Sequence, residues 1–213
     1  MNYKIINTGS DGNCTIINDI IAIDMGVSFK KLSSSIDIRK LQLVLLTHVH
    51  GDHFNKSTLK TLSKERPILR FGCCEWLVDE LVKVGVKRDR IDVYEIGTKY
   101  DYSKFQLVPI KLYHDVPQCG YRLFMNDKKL IYCTDTNTLD GIQAKNYDVY
   151  LVEGNYKNEE ELRSRSDNEY YCERVLRTHL SREYATEWLL KNMGNNSKYE
   201  FMHKHRERKN DRE

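Results

Sequence analysis

The chain is poor in the features that mark membrane, secreted and fibrous proteins. It contains only three prolines in 213 residues and no run of about 18 apolar residues of the kind that spans a bilayer. The first ten residues, MNYKIINTGS, lack the charged, apolar and small-residue regions of a signal peptide. Six cysteines (14, 73, 74, 119, 133 and 172) form no CxxC pair, and their density is below that of a disulfide scaffold, so they read as free, buried thiols. Charge of one sign is also missing: 34 basic against 31 acidic side chains leave +3, too little for the whole-molecule field to hold a polyanion. These absences predict a cytoplasmic protein without membrane contact, in which any anion binding comes from a local site. No repeat or low-complexity tract suggests an array or a linker.

What is present is enough apolar sequence, 40% of the chain, to build one sizeable core. A single domain is expected over residues 1–197. Residues 198–213 read as a charged tail that frays, with His203 and His205 solvated in it. Residues 3–24 show strand, glycine turn, strand, Asn18-Asp19 turn and strand, the signature of an antiparallel meander. Residues 41–46 are continuously apolar, as in a strand buried on both faces. Asn55 then caps a helix carrying Leu59 and Leu62, and a second helix is predicted over residues 74–84, ending at Gly85. Strands follow at residues 105–112, 120–125, 130–134 and 149–152, with Asn126-Asp127 as a hairpin turn. A charged stretch over 157–177 reads as helical, and Ser181 caps a last helix with Tyr184, Trp188 and Leu189 on its apolar side. Two rounds of strands followed by helices predict an α/β fold in which a sheet sandwich is covered by helices, a four-layer αββα body.

The chemistry sits where strands end. In THVHGDH, residues 47–53, His48 and His50 point the same way on extended backbone, while Asp52 and His53 face a second point after the turn at Gly51. Imidazole and carboxylate at this density suit two metal ions held close together. A lone histidine beside a strand is ordinarily a solvated or satisfied side chain. Here three more candidates, His114, Asp135 and His179, each follow a strand or precede a helix at a loop, where chain segments are free to converge.

With these residues the sequence resembles the metallo-β-lactamase superfamily, and the match covers nearly the whole chain. By that resemblance Asp24 is the family's early aspartate, which with Thr47 braces the loop of the second motif from behind. His48, His50 and His114 would hold one metal, Asp52, His53 and His179 the other, and Asp135 would bridge. The preponderance of imidazole favours two zinc ions, with manganese as the alternative. An aspartate rather than a cysteine at the bridging position disfavours antibiotic cleavage. The segments GSDGN, YHDVPQCGYRL, YCTDTN, LVEGNY and THLS are similar to those of small YycJ-type hydrolases of bacteria and phages, regarded as exonuclease-like phosphodiesterases. The chain departs from that pattern after Glu153, where it reads EGNYK rather than E-x-N-H-D.

The resemblance implies a dinuclear zinc phosphodiesterase, a nuclease acting on a nucleic-acid or nucleotide substrate through a metal-bridging hydroxide. Asp52 would orient the hydroxide, and Glu153, through His179 or water, is a candidate proton source for the leaving oxygen. The alternatives are a cyclic nucleotide phosphodiesterase, a thioester or lactone hydrolase, and a non-catalytic metal-binding module. Ser10 and Asn13 in the GSDGN turn and Arg165, Arg174 and Arg177 near the fifth motif are candidate substrate contacts. A homodimer is left open.

Overall fold

A computed structural model describes residues 1–204. The strands are β1 (Tyr3–Asn7), β2 (Cys14–Ile17), β3 (Ile21–Ile23), β4 (Leu43–Leu45), β5 (Arg70–Cys74), β6 (Ile91–Tyr94), β7 (Tyr100–Tyr102), β8 (Phe105–Lys111), β9 (Cys119–Met125), β10 (Lys128–Cys133), β11 (Val149–Glu153) and β12 (Lys198–Met202). The helices are α1 (Phe29–Ser35), α2 (Lys56–Glu65), α3 (Val78–Lys83), α4 (Glu159–Arg165), α5 (Glu169–Thr178) and α6 (Arg182–Asn192). The strands form two six-stranded sheets, ordered β1-β2-β3-β4-β5-β6 and β12-β11-β10-β9-β8-β7. Each sheet begins as an antiparallel meander and then becomes parallel, at β3 to β4 in the first, where α1 enters the connection, and at β10 to β11 in the second, where a loop without helix makes the crossover.

Alternation along the strands explains the layers. In the first sheet Ile17, Ile21, Ile23, Leu43 and Leu45 face the second sheet, where they meet Leu107, Tyr121, Leu123, Leu130, Tyr132 and Leu151. The opposite sides of the same strands, Cys14, Ile16, Ala22, Val44 and Leu46, pack under α1, α2 and α3 through Leu32, Leu59, Leu62 and Leu81. On the far face Ile131, Tyr150 and Val152 pack against Ala185, Trp188 and Leu189 of α6. The result is the αββα sandwich, with strands buried on both sides and therefore near-continuously apolar. Helices α2, α4, α5 and α6 start at side-chain caps, Asn55 and Ser181 as expected and Asn158 and Asn168 in addition, each of which accepts a backbone N–H of the first turn.

Three local expectations are corrected. The helix expected over 74–84 yields its first residue to β5 and a turn of 3₁₀ helix, Glu75–Leu77, before α3 begins. Gly72 inside β5 is required because the Tyr94 ring of β6 lies where a Cβ would stand. The charged stretch breaks into α4 and α5 at Asn168, whose side chain caps α5. Residues 198–202 do not fray: they add β12 in parallel beside β11, and Met202 is fully buried between the sheets. The remainder of the expected tail, 205–213 with His205, lies outside the described residues. Among the described residues no helix is long and apolar enough to cross a membrane.

The parallel directions decide where chemistry gathers. Strands β3 and β4 run together, as do β10, β11 and β12, and β8 shares the direction of β10 because both are antiparallel to β9. The C-terminal ends of these six strands deliver Asp24, Thr47, His114, Asp135, Glu153 and His203.

Replacing Met202 with Ala should remove a packed side chain from the intersheet core at a cost of about 2–5 kcal/mol, lowering the melting temperature by roughly 5–15 °C. A change below about 2 °C in a thermal melt followed by circular dichroism would mean that β12 is not part of the cooperative unit.

Candidate metal centre

Asp24 is the anchor. It is fully buried and stands in the left-handed conformation, φ 59°, directly after β3. Its Oδ1 accepts hydrogen bonds from the Thr47 backbone N–H and hydroxyl, both at 2.9 Å. Its Oδ2 accepts from His53 Nδ1 at 2.7 Å and from the Tyr132 hydroxyl at 3.1 Å. The Thr47 hydroxyl has one proton, which goes to Asp24, so at 2.9 Å it must accept from His48 Nδ1. One carboxylate thus fixes the tautomer of two imidazoles and leaves both Nε2 lone pairs turned inward.

The loop 51–54 is clamped from the other side. Asn13 N donates to Asp52 O at 2.6 Å, Met25 N to His53 O at 2.8 Å and Asn55 N to Met25 O at 2.9 Å. Gly26 makes this approach feasible, since a Cβ there would lie 1.7 Å from the Asp52 carbonyl oxygen. The Asn13 amide sits within 3.2 Å of Asp52 Oδ2 and 2.8 Å of His53 Nε2, and its oxygen accepts from Gly9 N at 2.8 Å. Asn13 is therefore a buried brace for the loop. Ser10 of the same turn is exposed.

Two groups of donor atoms result. His48, His50 and His114 form one, and Asp52, His53 and His203 the other; two further groups, His48-His53-Asp135 and Asp135-Glu153-His179-His203, overlap them, the candidate ligand atoms of each lying within 4.8 Å of one another. His114 is oriented by its Nδ1, which donates to Thr178 O at 3.0 Å. Asp135, left-handed at φ 54°, lies between the groups: its Oδ2 is 2.9 Å from His53 Nε2, and its Oδ1 is 3.4 Å from His203 Nε2 and 3.9 Å from His114 Nε2.

His203 was absent from the expected ligand set, and its expected solvation is corrected. It is not solvated but 6% exposed, at φ 50° immediately after β12, with Nε2 3.2 Å from Asp52 Oδ2. Its backbone N donates to Thr8 Oγ1 at 2.6 Å. The family pattern puts His179 among the ligands, and it does lie in a donor group with Asp135, Glu153 and His203, while the group around Asp52 and His53 contains His203. His179 gives its Nδ1 to Glu153 Oε1 at 2.7 Å and stacks on His203 with ring centroids 5.1 Å apart. Glu153, fully buried, is held in turn by Thr136 N at 2.7 Å. The signal for His203 was in the sequence: KYEFMH is a short alternating strand that ends on a histidine, as the other site strands end on theirs. Asp115 was also missed. Its Oδ1 lies 3.2 Å from His114 Nε2 and 3.4 Å from His50 Nε2, at the mouth of the first group.

The electrostatics call for cations. Burial opposes charge on His53, but Asp135 and Asp24 outweigh it and hold the ring well above the ordinary imidazole pKa. The same contest, with burial opposed by Asp135, Asp52 and Glu153, pushes His203 up to about 10. Burial, reinforced by His53, holds His48 well below the ordinary value, so it stays neutral. Asp135 is held well below the usual carboxylate range, its burial outweighed by His53 and His203. Asp135 Oδ2 is buried 2.9 Å from His53 Nε2, and its Oδ1 faces His203 Nε2 at 3.4 Å. A buried carboxylate ringed by imidazole nitrogens is an environment that a bound dication satisfies.

The arginines expected near substrate lie on the α4–α5 hairpin. Arg165 is paired with Glu161, Arg174 lies 5.8 Å from the Tyr171 ring centroid, and Arg177 is exposed in the last turn of α5, two residues before His179.

Comparison with known proteins matches residues 18–203 to the family model described as "Beta-lactamase superfamily domain". The chain is 28% identical over 220 aligned positions to a protein named exodeoxyribonuclease WalJ from Streptococcus pneumoniae, covering 92% of this chain and 78% of that one. Its fold is similar to the metallo-beta-lactamase fold protein YhfI from Bacillus subtilis, with TM-score 0.74 and 16% identity over 95% of this chain and 85% of that one. It is similar also to the short form of human tRNase Z, with TM-score 0.71 and 14% identity over 96% and 93% of the two chains.

Asp24→Ala should leave the Thr47, His53 and Tyr132 donors without their acceptor. A loss of about 3–5 kcal/mol in denaturant unfolding is expected, and a loss under about 1 kcal/mol would contradict the anchoring role.

Proposed function

The chain belongs to the beta-lactamase superfamily, a family of metal-dependent hydrolases, and on that premise we propose that it is a two-zinc phosphodiesterase that hydrolyses nucleic acid. The observation that carries the reading is two neighbouring donor groups, His48-His50-His114 and Asp52-His53-His203, with the Asp135 carboxylate 2.9 Å from His53 Nε2, 3.4 Å from His203 Nε2 and 3.9 Å from His114 Nε2. His48, His50 and His114 would hold one ion and Asp52, His53 and His203 the other, with Asp135 reaching both. Five imidazoles and two carboxylates suit zinc, manganese being the alternative. When bound, two such ions generate hydroxide near neutral pH and offset charge on a phosphoryl group.

The chain's own residues supply the rest. Asp52 and Asp135 carry two negative charges, which two bound dications would outweigh, so the loaded site would attract a phosphodiester anion in a protein that is nearly neutral overall. Asp52, fixed by Asn13 and His203, orients the attacking water. His179 would pass a proton to the departing oxygen, a role supported by Glu153, which engages its Nδ1 at 2.7 Å and leaves Nε2 for the transfer. This arrangement answers the departure noted after Glu153, since the proton donor comes from the THLS segment instead. The nucleic-acid assignment is supported by the similarity to a protein named as an exodeoxyribonuclease and to a tRNase Z.

Three outcomes test the reading. Elemental analysis of the purified chain should give about two zinc ions per molecule, falling toward one in His203→Ala; an unchanged content in that variant would remove His203 from the ligand set. His179→Ala should slow cleavage of a diester with an alkoxide leaving group by about 10²–10⁴-fold. A p-nitrophenolate leaving group, which needs no proton, should suffer far less, and equal losses on both would refute the proton-donor role. Finally, the zinc-loaded chain should hydrolyse bis(p-nitrophenyl) phosphate and polynucleotides; hydrolysis of thioesters or lactones with no action on any phosphodiester would replace this function with acyl transfer.

A further inference from the structure

The donor cluster accounts for chemistry at one phosphate, whereas the rim beside it extends well beyond one nucleotide. Tyr113, the residue before His114, is 47% exposed, and the Lys111 ammonium lies 5.0 Å from its ring centroid. The Tyr113 carbonyl accepts from Asn137 N at 3.2 Å, and the Asn137 side-chain amide donates to the Arg177 carbonyl at 2.9 Å. Three segments are thereby joined edge to edge: the exit of β8, the loop after Asp135 and the last turn of α5. Along α5, Tyr170, Arg174 and Arg177 recur at i, i+4 and i+7, which puts them on one face. All three are exposed, Tyr170 at 75%.

The charges on this hairpin are sorted. Arg163 binds both Glu159 and Glu173, and Arg165 binds Glu161. Arg174 and Arg177 are left without a carboxylate partner among the described residues, on the face that leads to His179. A pair of uncompensated guanidinium groups interleaved with exposed tyrosine rings is poor packing for a protein surface. It is good chemistry for a strand of phosphates and unpaired bases, because cations neutralise the backbone and aromatic faces stack the bases.

We propose that the rim formed by Lys111, Tyr113, Arg177, Arg174 and Tyr170 is a track that leads the end of a single-stranded nucleic acid to the histidine cluster. The proposal rests on the nuclease reading and sharpens it. A base paired in a duplex has no free face for the tyrosines, and a cyclic mononucleotide cannot reach from Tyr113 over α5, where residues 170–177 alone span about 10 Å. Single strands are therefore preferred over both.

The test is binding, measured apart from turnover. Fluorescence anisotropy of a labelled, phosphorothioate-linked single strand of about 12 nucleotides should show salt-dependent binding to the zinc-loaded chain, tighter than to the matching duplex. Arg174→Ala/Arg177→Ala, checked for unchanged zinc content and melting temperature, should reduce the slope of log K against log salt by about 1.4, the value for two phosphate contacts on a single strand. Tyr113→Ala and Tyr170→Ala should each weaken binding about tenfold or more at fixed salt. An unchanged slope in the double arginine variant, or equal affinity for single strand and duplex, would overturn the track. Hydrolysis of bis(p-nitrophenyl) phosphate by the unsubstituted chain separates the two levels: if it is retained while the track fails, the phosphodiesterase stands without this surface.

Discussion

Everything in the site hangs on a buried carboxylate that has no freedom to move. Asp24 accepts from two groups of Thr47, from His53 and from Tyr132, and so ties β3, the loop after β4 and β10 of the opposite sheet to one point. Full burial of an ionised group is costly unless its lone pairs are filled by donors. Here four donors fill them, and the same bonds choose which nitrogen of His48 and His53 faces the centre. The stability of the sandwich and the tautomers of the candidate ligands are therefore set by one residue. The Tyr121 hydroxyl adds a second tie between the sheets by donating to Leu46 O at 2.6 Å, one residue before Thr47.

The backbone around this anchor is held in sparsely populated conformations. Eight described non-glycine residues have positive φ, and seven of them are Asn or Asp, which tolerate the left-handed region. The eighth is His203. Asp24, Asp135 and His203 each take this conformation just past a strand, so each chain turns back across the mouth of the sandwich and aims a side chain inward. Such strain persists where the surroundings over-determine it. For His203 those surroundings are Thr8, which accepts its backbone N–H, and the Asn155 amide, which bonds its carbonyl at 3.1 Å.

Much of this was legible in the chain. Alternating apolar residues and the turns at Asn18-Asp19 and Asn126-Asp127 marked both meanders, and THVHGDH after a continuous apolar run marked the centre of the site. What escaped did so for physical reasons. RFGCC carries a glycine and no alternation of polarity, so β5 was not visible until Tyr94 was seen to need the missing Cβ. The segment around His203 is rich in charge, and its edge position beside β11 leaves Lys198 and Tyr199 exposed, which made a strand read as a tail. The contact between His179 and Glu153, 26 residues apart, was expected only as one of two routes for a proton, because no local pattern encodes it.

The central claim is that His203 completes the second metal group while His179 stays with Glu153. The most direct measurement is a crystal structure of the zinc-loaded protein with anomalous diffraction at the zinc edge. The account predicts two peaks about 3.5–4 Å apart, one among His48, His50 and His114 and one among Asp52, His53 and His203, with His179 Nδ1 still on Glu153. A single peak, or a second peak bonded to His179 in place of His203, would contradict it.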